Sequence, residues 1–314
     1  RLENAYQKRG YLNAQVTVEK QFNESRDKVR LVYLIHEGQQ YNVGNIRIVG
    51  SDYFDESRLR ELMLLETGSI FNDERAQKDL QRIRSLYLEQ GFINASVEVN
   101  RNFVSEDTID VFYEIEQGER FRIGRVNITG NQQTQDKVVR RVMNEYDFVP
   151  GNWYDADIAR GDGSGFLEKK IQRQALTESA TITAVGNEPN QRNAQVTVSE
   201  GQTGMVLVGA GVASDSGVIG QFVFEQRNFD ITDTPESLSD LIWGDAFKGA
   251  GQRLRLSLQP GTIVSEHSLS FTEPYLYDQP VSLNVSGSSY ERWRESYDEN
   301  RIRGNFSLEK RYKN

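Results

Sequence analysis

Beyond Gly204 the chain keeps a two-residue rhythm that few folds can accept. In residues 252–259, Leu254, Leu256 and Leu258 alternate with Arg253, Arg255, Ser257 and Gln259. Successive side chains on a strand point to opposite faces, so the leucines share one face and the polar groups the other. Pro260-Gly261 supplies a turn, and Leu269 and Phe271 then repeat the pattern against Ser268, Ser270 and Thr272. One such hairpin is equally what a soluble antiparallel sheet packed on a core would show. The number of repeats changes that reading. Val218, Gly220, Phe222 and Phe224 alternate with Ile219, Gln221, Val223 and Glu225; Val281, Leu283, Val285 and Gly287 with Ser282, Asn284, Ser286 and Ser288; Ile302, Gly304, Phe306 and Leu308 with Arg301, Arg303, Asn305, Ser307 and Glu309. From Gly204 to Tyr312 we read six strands and no helix to cover them, which is the pattern of a transmembrane β-barrel with an oily outside and a wet inside.

Composition agrees with that reading. At 37% hydrophobic and 26% charged, the 314 residues are ordinary globular material with room for several domains. The longest nearly unbroken apolar run, residues 205–213, holds two glycines and falls far short of the ~18 residues of a membrane helix. Contact with a bilayer must therefore be made by strands. A net charge of −9 argues against a nucleic-acid partner, so Arg253, Arg255, Arg301 and Arg303 read as lining a wet interior. There is no cysteine for a disulfide or a thiolate metal site, and His36 and His267 are far apart in sequence. No paired carboxylates, histidine-based constellation or metal-ligand spacing stands out, so we predict no catalytic, cofactor-binding or metal site.

Ahead of the rhythmic region the chain repeats itself. Tyr6, Gly10, Tyr11, Asn13, Ala14, Val16, Val18 and Phe22 match Tyr87, Gly91, Phe92, Asn94, Ala95, Val97, Val99 and Phe103, and the match continues from Tyr33 and Gly38 against Tyr113 and Gly118. A period of about eighty residues means tandem small domains, because solenoid repeats are shorter. In the complete copy the pattern predicts a strand over 45–49 and a helix capped by Asp55 and stapled by Phe54 onto Leu59. That helix carries a stripe of Leu59, Leu62, Met63 and Glu66 and ends at Gly68. A second helix opens after Asn72, buries Ala76, Leu80, Ile83 and Tyr87, and stops at Gly91; strands over 93–101 and 108–116 follow. Each helix stripe is too narrow to stand alone, so both should cover one face of a three-stranded sheet. The edge strand carrying Ala95, Val97 and Val99 would then be free to pair with an extended client, unless the modules are only spacers.

A further copy starts at Phe121. It has a strand at 126–128, Thr134 as helix cap, and Val138, Val139, Val142 and Met143 as a buried stripe. Gly161-Asp162-Gly163-Ser164-Gly165 falls where the second helix belongs, which predicts a late or broken helix. These glycines lack the spacing and the feeding strand of a nucleotide loop.

Modules of this order leading directly into alternating strands resemble the outer-membrane assembly factor family typified by BamA, whose modules are called POTRA domains. The marks that carry the resemblance are Gly130-Asn131 with Thr134, Arg140-Arg141, Glu200 with Thr203-Gly204, Phe247, Gly249, Gly251, and Phe271-Thr272-Glu273-Pro274-Tyr275. It implies α+β POTRA modules followed by an incomplete antiparallel transmembrane β-barrel. We divide the chain into the C-terminal half of a POTRA domain at 1–41, a POTRA domain at 42–120, the last POTRA domain at 121–203 and six barrel strands at 204–314. Because the chain opens inside a module and the family barrel needs roughly sixteen strands, it reads as a fragment. The resemblance further implies a non-enzymatic insertase without cofactor, located in the bacterial outer membrane with the POTRA domains in the periplasm. Its partners would be unfolded outer-membrane proteins, membrane lipid and accessory lipoproteins. Val142 follows Arg140-Arg141 where proteobacterial relatives tend to carry a carboxylate, a departure that weakens the expectation of lipoprotein docking. The first barrel strand, with Val206, Val208, Gly209, Ala210, Gly211 and Val212, would be the gate that pairs with client strands, since its glycines weaken its own pairing. The alternative is a polypeptide translocator of the two-partner secretion or TamA-like type.

Overall fold

The computed structural model describes residues 2–23, 25–237 and 246–312 and divides the chain into two compact units, residues 1–121 with 153–156 and residues 122–152 with 157–314. Arg1 and Asn314, the outer limits of the first and last predicted domains, lie outside the described residues, as do 238–245.

In the first unit, α1 (Leu2–Gln7) precedes an antiparallel hairpin of β1 (Gln15–Phe22) and β2 (Val29–His36). The strand-helix-helix-strand-strand order follows as β3 (Asn42–Val49), α2 (Glu56–Arg60), α3 (Asp73–Glu89), β4 (Ser96–Phe103) and β5 (Thr108–Glu116). β5 is central, parallel to β3 and antiparallel to β4, so β3 and β4 are both edges. Leu59, Phe71, Ala76, Ile83, Tyr87, Ile109, Val111 and Tyr113 are fully buried where the helical segments meet one face of this sheet.

Three local expectations need correction. The first helix stops at Arg60 rather than near Gly68, because Asp79 on α3 takes the Leu64 and Leu65 N–H groups at 2.6 and 3.0 Å and draws the chain out of helical register. Asp55 occupies the N-cap position with extended backbone, yet its side chain makes no capping bond; Phe54 instead packs edge-on to Tyr87 at 5.0 Å. Ala95 stands just ahead of β4, because its N–H bonds back to the Phe92 carbonyl at 2.9 Å in the turn after Gly91. Asn72 does cap its helix, accepting from the Arg75 N–H at 3.1 Å.

The second unit opens with β6 (Arg122–Thr129), α4 (Asp136–Glu145), α5 (Phe166–Gln174), β7 (Thr177–Val185) and β8 (Gln191–Glu200), arranged as a sheet in the order β6-β8-β7. The glycine run delays α5 to Phe166. Val138, Val139, Val142 and Met143 are buried as the stripe required. After a three-residue link come β9 (Gly204–Ala213), β10 (Gly217–Phe229), β11 (Gln252–Gln259), β12 (Val264–Glu273), β13 (Val281–Trp293) and β14 (Asp298–Lys310). All five pairings are between sequence neighbours and antiparallel, and the sheet is open, with β9 and β14 at its edges.

Register preserves the two faces across all six strands, up to a shift in β10 between Gln226 and Phe229. One row runs Val206, Phe224, Leu256, Leu269, Gly287, Gly304; the neighbouring row on the opposite face runs Leu207, Val223, Ser257, Ser268, Ser288, Arg303. A slip of one residue would turn every side chain of a strand to the other face, so this agreement across six strands is a demanding test of the alternation. Arg253, Arg255, Arg301 and Arg303 all fall on the serine-rich face.

Candidate functional site at the joint of the last module and the barrel strands

The three-residue link between β8 and β9 is reinforced by two sets of contacts within the second unit, and most of the marked residues gather there. The first set forms around Glu200. Gly130 has a φ of +89°, and a β-carbon on it would stand 1.9 Å from the Val198 carbonyl oxygen, so only glycine fits at this close approach. Asn131 donates from Nδ2 to the Thr134 carbonyl at 2.9 Å and to Asp136 Oδ1 at 2.8 Å. The loop so shaped directs the Gln132, Gln133 and Thr134 N–H groups onto the Glu200 carboxylate at 3.0, 3.0 and 2.5 Å. Burial works to raise the pKa of Glu200, but these N–H donors outweigh it and hold the carboxyl below the ordinary glutamate value.

Thr134 is therefore not the helix cap. The N-cap position falls to Gln135, and Thr134 Oγ1 accepts instead from Asn228 Nδ2 at 3.0 Å, at the end of β10. Asn228, almost fully buried, also accepts the Gly251 N–H on Oδ1 and the Gly249 N–H on its carbonyl, each at 2.9 Å. The Gly249 carbonyl in turn takes the Gln135 N–H at 2.9 Å, and Gln135 Nε2 donates to Asp230 at 2.6 Å. Gly249 has a φ of +122°, and a β-carbon there would meet the Gln133 carbonyl oxygen at 2.6 Å. Gly251 lies against Val138 of α4. The start of α4 is thus bonded to the segment that leads into β11.

The second set holds the other end of α4. The two arginines diverge: Arg140 stays within its module, donating to the Val126 carbonyl and Asp136, whereas Arg141 reaches the turn between β12 and β13. There its guanidinium bonds Asp278 at 2.5 and 2.8 Å, lies 4.0 Å from Glu273, and covers the Tyr275 ring. The Tyr275 hydroxyl donates to Glu145 at 2.7 Å, and the Arg311 guanidinium lies over the same ring at 4.4 Å while pairing with Glu145 at 3.3 Å. Burial pushes the Tyr275 phenol well above its ordinary pKa, and the Glu145 carboxylate adds to that. Glu273 accepts from Gln252 Nε2 and the Tyr275 N–H, and the Pro274 carbonyl accepts from Arg311. Tyr277 and Asp278 both have left-handed backbone, a conformation costly for residues with a β-carbon, and Asp278 is held there by Arg141.

The structure brings Gly130, Asn131, Arg141, Gly249, Gly251, Glu273 and Pro274 to this joint, with Arg140 beside it. It does not bring the two predicted strand sites there. Val206, Val208, Gly209, Ala210, Gly211 and Val212 lie along the free edge of β9; Val97 and Val99 lie on edge strand β4 of the first unit. Asn228, Gln135, Asp230, Glu145, Asp278 and Arg311 were missed by sequence reasoning. Their partners are far off along the chain, and only the density of marks around 130–141 and 247–275 pointed to them. Among the described residues no group of three or more His, Cys, Asp or Glu could hold a metal ion.

In the second unit a strand-helix-helix-strand-strand module is bonded to a one-sided antiparallel wall, the architecture of a POTRA-bearing outer-membrane β-barrel protein. A family model described as POTRA, surface antigen variable number repeat, matches residues 1–38 and 41–118. The chain is 24% identical over 289 residues to the outer membrane protein assembly factor BamA of Neorickettsia risticii, covering 91% of this chain and 35% of that protein. It is 23% identical over 293 residues to BamA of Neisseria meningitidis serogroup B, covering 91% and 34%. The crystal structure of BamA from Haemophilus ducreyi lacking POTRA domains 1–3 matches with a TM-score of 0.67 at 21% identity, over 85% of this chain and 47% of that one. The chain is BamA-like, consisting of POTRA modules followed by strands of an outer-membrane barrel, with the wall in the outer membrane and the modules in the periplasm. It spans about a third of the length of these curated relatives.

Proposed function

We propose that the protein to which this chain belongs assembles other proteins into the outer membrane, without a cofactor or covalent chemistry. Its modules receive unfolded outer-membrane proteins on edge strands, at Val97 and Val99 with Ala95 leading in, and its wall passes them into lipid through a seam bordered by β9. The module boundaries assigned above, at 41/42, 120/121 and 203/204, belong to this proposal. The similarity to proteins named as outer-membrane assembly factors supports the general activity. The observation that carries the finer reading is β9 itself. Among the described residues it is an edge strand paired only to β10, and Gly209 and Gly211 deprive it of side-chain packing along that pairing. An unpaired backbone group in hydrocarbon costs several kcal/mol, so a loosened strand there is a strong template for an incoming one.

The test is a covalent lock. The chain has no cysteine of its own, so Gly209→Cys can be paired with a cysteine on the terminal barrel strand of the full-length protein in proteoliposomes. Oxidation should abolish insertion of a client barrel and reduction should restore it. Insertion at the unlocked rate with the disulfide formed would refute the seam, and polypeptide export through a locked barrel would favour a translocator.

A further inference from the structure

The two complete modules each end their sheet in an antiparallel edge strand, β4 in one and β7 in the other, but these edges are not alike. Ile182 on β7 stands opposite Val196 on β8, yet its N–H points away from β8 and donates to Glu168 Oε1 at 2.7 Å. Glu168 lies on the first turn of α5 and is fully buried. The same carboxylate takes the Gly161 N–H at 2.8 Å and the Gly165 N–H at 2.9 Å. That ties the glycine run along the outer side of β7. A β-carbon on Gly161 would lie 3.4 Å from the Ile182 carbonyl oxygen, and one on Gly163 would lie 3.6 Å from that of Ala180. Ala180 and Ile182 are buried, whereas Ala184 and Val185 beyond the run are exposed. Among the described residues the side-chain bond nearest the backbone of β4 is from Arg84 Nε to the Ala95 carbonyl at 3.3 Å, one residue ahead of the strand.

An edge strand accepts another strand only if its outward N–H and C=O groups are free. We propose that residues 161–165, anchored by Glu168, are a built-in cover for the strand edge of the last module, so that extended polypeptides add to β4 and are turned away from β7. The glycines serve this through their backbone, since Gly161 and Gly163 turn the run with φ of +82° and +77°, a conformation that strains any residue with a β-carbon. A run of sequence that breaks a helix thus screens the strand edge, with the Glu168 carboxylate taking the outward Ile182 N–H. The choice of β4 rests on the proposed client-binding role; the cover on β7 does not.

The test uses the full-length protein in nanodiscs and a synthetic peptide of the sequence of residues 281–293 carrying a photo-crosslinker. Amide-resolved hydrogen exchange in the unmodified protein should show Ile182 exchanging at least about tenfold more slowly than the outward amides of β4, the factor expected for one retained hydrogen bond. Peptide adducts should map to 96–103 and not to 177–185. Glu168→Ala should speed exchange at Ile182 and open 177–185 to adducts, while Glu168→Gln, which keeps Oε1 as acceptor for the Ile182 and Gly161 N–H groups and loses the Gly165 bond, should leave Ile182 slower and β7 less labelled than Glu168→Ala does. Fast exchange at Ile182, or adducts on β7 equal to those on β4 in the unmodified protein, would overturn the cover. Absence of adducts on both strands would sink the client reading alone, and the exchange comparison, which needs no variant, would still decide the cover.

Discussion

Gly130 shows how one residue without a side chain can shape a joint. Its left-handed backbone and its approach to the Val198 carbonyl leave no room for a β-carbon. Gly130→Ala should therefore destabilise the last module by roughly 2–3 kcal/mol, read as a fall in thermal midpoint. Glu200 supplies the complementary charge. Its folded-state pKa is depressed, so its contribution is fully present above the unfolded value near 4.5 and is lost as pH falls through the lower folded value. Glu200→Gln should lower stability at neutral pH by about 1–2 kcal/mol. The same variant should flatten the acid limb of the stability profile, so unchanged curvature below pH 4.5 would contradict this role. The importance of Gly130 and Glu200 was legible as family resemblance, whereas their geometry was not: Glu200 meets Gln132 and Gln133 only because β6 and β8 lie in one sheet.

At the scale of elements, period and punctuation were readable and competition between side chains was not. Six alternating strands could be found because a period of two survives any tertiary detail. The glycine run announced a late α5 for an equally local reason. The two helix starts of the first complete module looked alike in sequence, both carrying an Asx residue before an acidic turn, yet only Asn72 makes the capping bond. Asn72→Ala should cost about 1 kcal/mol and Asp55→Ala only a few tenths, measured by chemical denaturation of the two variants side by side. Equal losses would show that the Asp55 side chain does cap in solution. The overlong first helix came from reading the stripe at Leu62 and Met63 as helical periodicity, when Asp79, a residue with no local reason to be buried, captures the Leu64 and Leu65 N–H groups. Likewise Thr134 has the composition of a cap, and a distant Asn228 claims it.

For the second unit as a whole, α4 is held at both ends, by Asn228 and the Gly249 segment at its start and by Arg141, Glu145 and Tyr275 at its finish. Two separated attachments resist rotation in a way that one cannot. Arg141→Ala should leave each part folded but broaden the spin-label distance distribution between Val185 on β7 and Trp293 at the far end of β13, and an unchanged width would show that the first attachment suffices. Tyr275→Phe, which keeps the ring under Arg141 and Arg311, should broaden it less.

The face of β9 that should be wet is not. Met205 and Leu207 occupy it, followed by Gly209 and Gly211, and Leu207 stands across from Val223. Sliding this strand by one residue against a neighbour would exchange valines for methionine, leucine and glycine without carrying a charge into hydrocarbon. For β11 or β14 the same slide would drive arginines into the bilayer. The border of the wall is thus free to change its alignment, while the strands behind it are held to theirs.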